Sequence, residues 1–234
     1  DVQYVTNSDS VVVVVTYDLK TNGVDSLDGV KVAVQGMGNV GANAARIFCH
    51  RNACVVALSD VSGGIYCESG LDADAVSAFL EEGHLLKDYQ AEGVSHISNT
   101  ELLTCDCDVL VPAALENQIN AEVAEQLRCR YIVEGANGPT TVEADAILEQ
   151  RGITLIPDIF ANSGVVSYFE WVQNIQELTW ERSQVNEMLE KLMTASFGEL
   201  LEERKKTACS YRMAAYIVAL RRLLYAEDIK GLFP

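Results

Sequence analysis

Three glycines at fixed spacing mark the part of this chain whose residues are best suited to chemistry. Gly36, Gly38 and Gly41 follow the strand-like run VKVAVQ and precede apolar residues at near-helical spacing. A tight turn at the first glycine, open backbone at the second and close packing at the third would leave free N–H groups at the start of a helix. Because the positive end of the helix dipole faces the same turn, the segment predicts a site for a phosphate-bearing anion.

An acidic residue at the end of the next strand-like run extends this prediction from a phosphate to a dinucleotide. The run CVVALS ends at Asp60, nineteen positions after Gly41. A carboxylate there can accept hydrogen bonds from the hydroxyls of an adenosine ribose. Asp60 would repel a 2′-phosphate, and the sequence has no lysine or arginine between Arg51 and Lys87 to neutralise one. We therefore predict NAD rather than NADP.

Each of these features also has an interpretation without a ligand. A lone Gly-x-Gly-x-x-Gly pattern occurs in ordinary glycine-rich loops, and Asp60 also suits a turn in the sequence DVSG. The flanking strand, the helical pattern and the acidic residue together favour the dinucleotide site.

Composition limits the partners and the compartment. The 234 residues, 49% of them hydrophobic, suffice for one sizeable core, and 17 basic against 34 acidic residues give a net charge of -17. This charge disfavours nucleic acid and anionic membrane surfaces as partners. No apolar run reaches the roughly 20 residues of a membrane span, and the first residues do not resemble a secretion signal, so we expect a cytoplasmic protein.

The seven cysteines are more typical of reduced core thiols than of a disulfide framework, because their number is odd and they are scattered along the chain. Cys105 and Cys107 have no CxxC partner, and the chain has only three histidines. We predict no metal site.

Strand-like and helix-like runs alternate through most of the chain, which is typical of βαβ units and a parallel sheet. We predict an α/β fold of the Rossmann type, with a doubly wound, mostly parallel sheet and a C-terminal helical tail. The dinucleotide-binding domain would span residues 1–166, with residues 1–26 as a connecting segment, and the helical segment would span residues 167–234. Ser62-Gly63-Gly64 predicts a turn. The predicted strands after the glycine turn are 54–59, 108–112, 130–134 and 153–156, and the predicted helices of the tail are 184–206 and 211–229.

The opening segment is ambiguous, because Val11–Val15 favours a strand whereas the residues up to Asn22 and Gly23 favour a helix with a glycine stop. We predict a helix.

Four sequence blocks carry a family resemblance that covers residues 27–234. They read AVQGMGNVG, PAALENQI, VEGANGPTTVEAD and PDIFANSG, the last followed by VSYFEWVQN. The chain resembles the nucleotide-binding half of the dehydrogenases that act on glutamate, leucine, phenylalanine and valine, and the glutamate members most closely. Each block follows a predicted strand, so the blocks would gather at the carboxyl edge of the sheet, where open α/β folds bind ligands.

The resemblance also implies roles for residues beyond the glycines. Without it, Asn137 and Asn162 also suit turns, and Ser167 also suits a helix N-cap. The segment from Asn162 to Ser167 is two residues shorter than the family pattern. By resemblance, Asn39 and Val40 meet the pyrophosphate, Ala113 and Ala114 border the adenosine side, Asn137 and Asn162 lie near the nicotinamide, and Ser167 helps hold the substrate carboxylate.

The function implied by resemblance is oxidative deamination of L-glutamate to 2-oxoglutarate and ammonia, with NAD as the first and NADP as the second choice of cofactor, by a homo-oligomer that is hexameric in the family. The catalytic lysine and aspartate of the family belong to an N-terminal substrate domain with no counterpart in this chain, so we assign no catalytic residue here. Two alternatives stay open, namely a leucine, phenylalanine or valine dehydrogenase and a non-catalytic NAD-binding sensor or docking module. An upstream segment with a lysine among glycines would favour an enzyme.

Overall fold

The computed structural model describes residues 2–163 and 182–230, and at its centre lies a seven-stranded sheet. Six strands run parallel, and β3 is antiparallel to both of its neighbours, β2 and β4. The order across the sheet is β4-β3-β2-β1-β5-β6-β7. The strands are β1 (Lys31–Gln35), β2 (Cys54–Asp60), β3 (Gly63–Tyr66), β4 (Ser95–Ile97), β5 (Val109–Pro112), β6 (Tyr131–Val133) and β7 (Thr154–Ile156).

Several helices begin where a polar side chain caps the first turn. Asp72, Asn120 and Thr141 each accept a hydrogen bond from a backbone N–H of the helix that follows, and Ser98 forms a capping box with Glu101. The helices are α1 (Val2–Thr21), α2 (Asn39–His50), α3 (Ala73–Glu81), α4 (Asn99–Leu103), α5 (Ala121–Gln126), α6 (Val142–Gln150), α7 (Asp158–Ala161), α8 (Arg182–Thr207) and α9 (Tyr211–Lys230), with a 3₁₀ turn at Leu86–Asp88.

Alternating side chains divide the hydrophobic core between the two faces of the sheet. On β1, Val32 and Val34 point into one cluster, which includes side chains of α1, α2, α8 and α9. Ala33 points into the other cluster, which α4, α5 and α6 cover. Helices on both faces of a mostly parallel sheet confirm the predicted Rossmann-type fold.

The opening segment is helical, as predicted. Val11–Val15 is buried against the rest of the core, and α1 packs on α2 and α8. Five consecutive β-branched residues disfavour an isolated helix, so tertiary packing here outweighs intrinsic propensity. The segment predicted as a connection thus contributes side chains to the main core.

The C-terminal helices pack onto this same face. Phe197 on α8 is fully buried and lies within 6 Å, between ring centroids, of the rings of Tyr17, Phe160 and Tyr211. The predicted helices of the tail are confirmed over 182–207 and 211–230. The predicted boundary between residues 166 and 167 lies outside the described residues.

The structure differs from the prediction at Ser62-Gly63-Gly64, where a strand begins inside the predicted turn. Gly63 has a φ of +135° and pairs with Asp60 as the first residue of β3. A Cβ on Gly64 would lie 3.1 Å from the Ile97 side chain. The glycines therefore allow β4 to approach closely, a long-range requirement that local turn statistics do not contain.

The described residues contain no helix that is both long and apolar enough to cross a membrane. The seven cysteines, all within the described ranges, are free thiols. Because β1, β5, β6 and β7 run in the same direction, the loops that follow them meet at one edge of the sheet.

Candidate dinucleotide site

The three glycines after β1 differ in what a side chain would meet. A Cβ on Gly36, whose φ is +92°, would lie 2.8 Å from the Cβ of Ala114, and a Cβ on Gly41 would collide with the Gly36 carbonyl oxygen. A Cβ on Gly38 would meet no described atom within 4 Å. The outer two glycines are thus required by the fold, whereas the middle one borders open space that a ligand can fill.

The start of α2 faces the same open space. The helix begins at Asn39, and Gly38, its N-cap, has no side chain with which to cap the first N–H groups. The Val40 carbonyl oxygen accepts a hydrogen bond of 2.8 Å from Ser8 Oγ, which ties the first turn of α2 to α1. Twelve residues of helix give the turn a positive dipole end, which suits an anion.

Asp60 lies at the end of β2, as predicted, but its carboxylate already has partners within the chain. One oxygen accepts hydrogen bonds from the Ser62 N–H at 2.7 Å and the Ser62 hydroxyl at 2.5 Å. The other oxygen accepts from the Leu86 N–H at 2.8 Å. Each carboxylate oxygen can accept more than one hydrogen bond, so the hydroxyls of a ribose could bind Asp60 without displacing these internal hydrogen bonds.

Lys87 is a further functional candidate near the end of β2. Its N–H donates to Ser62 Oγ at 3.1 Å, and its side chain is exposed. The backbone of Lys87, the basic residue at the far end of the gap that begins at Arg51, therefore lies close to the end of β2. The 3₁₀ turn that brings Lys87 to the end of β2 is held by Asp60 itself.

The loop after β5 closes the other side of the glycine turn. The Ala113 N–H donates to the Gln35 carbonyl oxygen at 2.8 Å, and Ala114 lies exposed against Gly36. A Cβ on Gly135, which follows β6, would lie 3.1 Å from that of Ala113. The predicted residues Ala113 and Ala114 thus border the glycine turn, and small residues on neighbouring loops let the backbones approach.

Gln35 positions two loops at this edge, a role that sequence analysis missed. Its side chain is 1% exposed, and its Nε2 donates to Asn99 Oδ1 and Gln118 Oε1, each at 2.9 Å. Asn99 begins α4, and Gln118 belongs to the loop after β5. The available sequence signal was a polar residue at the end of an otherwise apolar strand, directly before Gly36.

Asn137 and Asn162 contact each other across the loops after β6 and β7. Asn162 Nδ2 donates to Asn137 Oδ1 at 3.1 Å, and Asn137 is exposed. Asn162 Oδ1 has no hydrogen-bond partner among the described residues. The structure therefore brings these two predicted residues together, with Asn137 exposed and the unpaired Oδ1 of Asn162 buried.

Arg212, which sequence analysis also missed, lies beneath these loops. Its guanidinium binds both carboxylate oxygens of Glu134, at 2.8 and 3.0 Å, and also contacts Asp145 and Asp158. Burial raises the pKa of Glu134, although the hydrogen bonds and charge of Arg212 oppose this rise. Burial lowers the pKa of Arg212, but Glu134 and Asp145 outweigh that effect and raise it above its ordinary value.

Ser167 lies outside the described residues. Within the described ranges, no group of three or more histidine, cysteine and acidic side chains could hold a metal ion. A cavity of about 320 Å³ lies between α6 and the junction of α8 with α9, but none of the predicted site residues lines it.

The arrangement fits a dinucleotide laid across the carboxyl edge of the sheet. From β1 the chain first adds strands on one side of the sheet, beginning with β2, and then on the other side, beginning with β5. Open α/β sheets bind ligands at such a switch point. A pyrophosphate at Gly38 would point the adenosine half toward Asp60 and the other half toward Asn137. The geometry offers binding and orientation, and we assign no proton-transfer group to it.

Comparison with known proteins gives a consistent family. The model of the glutamate/leucine/phenylalanine/valine dehydrogenases matches residues 2–231. The chain is 48% identical over 210 residues to NAD-specific glutamate dehydrogenase A of Halobacterium salinarum, covering 89% of this chain and 48% of that protein. It is 44% identical over 211 residues to NADP-specific glutamate dehydrogenase A1 of the same organism, covering 89% and 50%.

Solved structures agree with the sequence matches. The hetero-hexameric glutamate dehydrogenase of Thermus thermophilus, in a leucine-bound form, superposes with a TM-score of 0.87 at 29% identity, over 99% of this chain and 54% of that one. The chain thus spans about half the length of the relatives it matches. It belongs to the glutamate/leucine/phenylalanine/valine dehydrogenase family.

Proposed function

We propose that this chain is the nucleotide-binding part of an amino-acid dehydrogenase that acts on L-glutamate, with NAD as its cofactor and NADP as a possible second one. The observation that carries the proposal is the open space beside Gly38, between two glycines that packing requires and in front of the start of α2. The similarity to NAD-specific and NADP-specific glutamate dehydrogenases supports this choice of cofactor and substrate over leucine, phenylalanine or valine.

The proposed binding residues divide by the half of the cofactor that they would meet. The turn and the first N–H groups of α2 would bind the pyrophosphate, and the end of β2 would bind the adenosine ribose. The paired asparagines would orient the nicotinamide half. The residues are Gly36, Gly38, Asn39, Val40 and Gly41 at the pyrophosphate, Asp60, Ala113 and Ala114 at the adenosine, Asn137 and Asn162 at the nicotinamide, and Ser167 at the substrate.

The chemistry needs a hydride acceptor, which the nicotinamide supplies when NAD is bound, so that glutamate loses hydride from Cα and becomes an imine that water converts to 2-oxoglutarate and ammonia. The residues of this chain would hold the nicotinamide ring in a fixed orientation toward the glutamate Cα and limit the access of water. Proton transfer to and from the substrate is not assigned to any of them.

The proposal includes a cytoplasmic location and assembly into a homo-oligomer, by resemblance a hexamer. Seven free cysteines suit a reducing compartment. The Thermus thermophilus relative is itself described as a hetero-hexamer.

The test is calorimetric titration of the 234-residue chain with NAD, before and after Gly38→Ala. A methyl group there would occupy the space meant for the pyrophosphate, and we expect NAD binding to weaken by about 1–3 kcal/mol. Gly198→Ala is the matched control, because a Cβ there also meets no described atom within 4 Å but lies on α8, away from the turn. Unchanged affinity in a folded Gly38→Ala variant would place the pyrophosphate elsewhere.

A further inference from the structure

Arg212 connects the C-terminal helix to the loops at the carboxyl edge of the sheet. It lies in the first turn of α9, and its guanidinium forms a two-pronged ion pair with Glu134, whose side chain is 0% exposed. Glu134 directly follows β6. The ion pair thus joins two elements that are 78 residues apart in the sequence.

Glu134 also links Arg212 to the loop after β7. Its Oε2, which accepts a hydrogen bond from Arg212, also accepts one of 2.8 Å from the N–H of Asp158. Arg212 Nη1 reaches the carboxylate of the same Asp158 at 3.4 Å. The start of α7 is therefore fixed to the end of β6 through one buried carboxylate and one guanidinium.

Asp158 extends the connection to the paired asparagines. Its Oδ2 accepts a hydrogen bond of 2.8 Å from the N–H of Gly138, the residue after Asn137. At the other end of α7, Asn162 donates to Asn137. Asn137 thus directly precedes a residue that is bonded to Asp158. Asn162 directly follows the helix that Asp158 begins.

A guanidinium suits this place better than an ammonium. Arg212 makes five hydrogen bonds to three carboxylates, and the planar arrangement of its N–H groups allows the two-pronged pair with Glu134 and a second pair with Asp145. A lysine would keep the charge, which the buried Glu134 requires, but would lose the fixed directions of these bonds.

The position of the network on the sheet determines which half of a ligand it affects. Glu134 and Asp158 follow β6 and β7, on the opposite side of β1 from Asp60 and β2. No hydrogen bond or ion pair joins Arg212 to the glycine turn among the described residues. A change at Arg212 should therefore disturb the Asn137 side of the cleft and leave the pyrophosphate and adenosine side in place.

We propose that Arg212 is a positioning residue that holds the Asn137–Asn162 pair against the nicotinamide half of the cofactor. This inference rests on the proposed function of the site. It adds that the orientation of the nicotinamide depends on a side chain of the C-terminal helix that lies behind the loops and does not itself border the cofactor.

The experiment compares NAD with ADP-ribose, which lacks the nicotinamide ring. For the 234-residue chain we expect NAD to bind more tightly than ADP-ribose. Arg212→Lys should weaken NAD binding about tenfold, as the loss of one or two directed hydrogen bonds would, and should change the affinity for ADP-ribose less than about twofold. Both affinities are measured by calorimetric titration on protein whose thermal unfolding shows that it is folded.

Arg221→Lys is the matched control. Arg221 lies on the same helix and forms the same kind of two-pronged pair with Glu203, at 2.6 and 3.1 Å, but that pair joins α9 to α8 alone. We expect it to leave both affinities unchanged. Asp158→Asn is a second test variant, used if Arg212→Lys does not fold. It weakens the same network at a side chain that is 20% exposed, and it should show the same selective loss of NAD affinity.

The outcomes separate the inference from the function on which it rests. Equal losses for NAD and ADP-ribose, or no loss for either, would overturn the positioning role. Equal affinity of the unmodified chain for the two ligands would also overturn it. Failure of the unmodified chain to bind either ligand would instead overturn the proposed function, together with the inference.

Discussion

At the end of β2 the Asp60 carboxylate accepts a hydrogen bond from the Leu86 N–H, which brings the backbone of Lys87 close although 27 positions separate Asp60 and Lys87 in the sequence. Asp60 brings a negative charge to the place where an adenosine ribose would bind, and three hydrogen bonds hold it there. Lys87 brings an exposed lysine side chain to the same end of β2. We therefore propose that Lys87, as well as Asp60, affects the choice between NAD and NADP.

We expect the chain to bind NAD more tightly than NADP, because a 2′-phosphate would approach the Asp60 carboxylate. Lys87→Ala should weaken NADP binding severalfold and leave NAD binding unchanged, since only the 2′-phosphate would need that cation. Calorimetric titration with both nucleotides measures this, and Lys191→Ala, an exposed lysine on α8, controls for the general change in charge. Tighter binding of NADP by the unmodified chain would contradict the prediction.

Residues whose role is local could be predicted from the sequence, and residues whose role is long-range could not. The spacing of Gly36, Gly38 and Gly41 determines one turn, and the structure gives that turn the predicted shape. Gln35 bonds to Gln118 at a separation of 83 residues, and no local pattern contains such a contact. The assignment of the site to a ligand stays a prediction for every residue.

At the scale of elements, length and apolar content decided which predictions succeeded. β2, with seven residues and a buried centre, was predicted to within one residue. β3 and β4 were not, because they have four and three residues, include glycines or polar residues, and depend on pairing with neighbouring strands. The helix over Val11–Val15 shows the same dependence, since its helical state requires the packing of α2 and α8.

The junction between α1 and α9 contains a buried carboxylate whose titration should be measurable. Asp18 is 1% exposed and accepts a hydrogen bond of 2.9 Å from the Tyr211 hydroxyl. Burial raises the pKa of Asp18, with Tyr211 and Arg204 opposing the rise. In the folded chain this carboxyl therefore holds its proton to a higher pH than in the unfolded chain.

The sign of the resulting pH dependence follows from linkage. A raised pKa means that the folded state binds more protons just above the ordinary aspartate range, so the free energy of unfolding falls as pH rises through that window. We expect Asp18→Asn to remove this fall. Urea unfolding at a series of pH values measures it.

Asp74→Asn provides a control of opposite sign. The hydrogen bonds of His50 and Arg46 lower the pKa of Asp74, so its contribution is present above the ordinary aspartate range and is lost as pH falls. Asp74 is largely exposed, and the effect should be small. If Asp18→Asn and the unmodified chain show the same pH dependence just above the aspartate range, the buried carboxyl does not titrate as described.

For the whole molecule, the net charge of -17 and the proposed ligand have the same sign. The site therefore has to attract an anion through groups that the formal charge does not count, namely backbone N–H groups at the start of α2. Arg212, which lies on the side of the predicted nicotinamide, is already matched by three carboxylates. The oriented N–H dipoles at the start of α2, more than the number of positive side chains, would therefore provide the affinity for the dinucleotide.

The last prediction concerns what the 234-residue chain does when it is purified as such. We expect it to fold and bind NAD, because the sheet is covered on both faces and the residues of the turn are contiguous. We expect no turnover of glutamate. Hydride transfer requires Cα to be held about 3–3.5 Å from the nicotinamide, and such orientation contributes roughly 7–11 kcal/mol to lowering the barrier. Ser167 is the one substrate contact that we propose in this chain.

The measurement is the absorbance change of NAD in the presence of glutamate, with the mass of the protein verified and with an intact glutamate dehydrogenase assayed beside it. Binding of NAD without turnover would agree with the assignment of proton-transfer groups to sequence outside these 234 residues. Steady turnover close to that of the intact enzyme would contradict that assignment, because proton transfer would then have to come from side chains in this chain, to which we have given only binding and positioning roles.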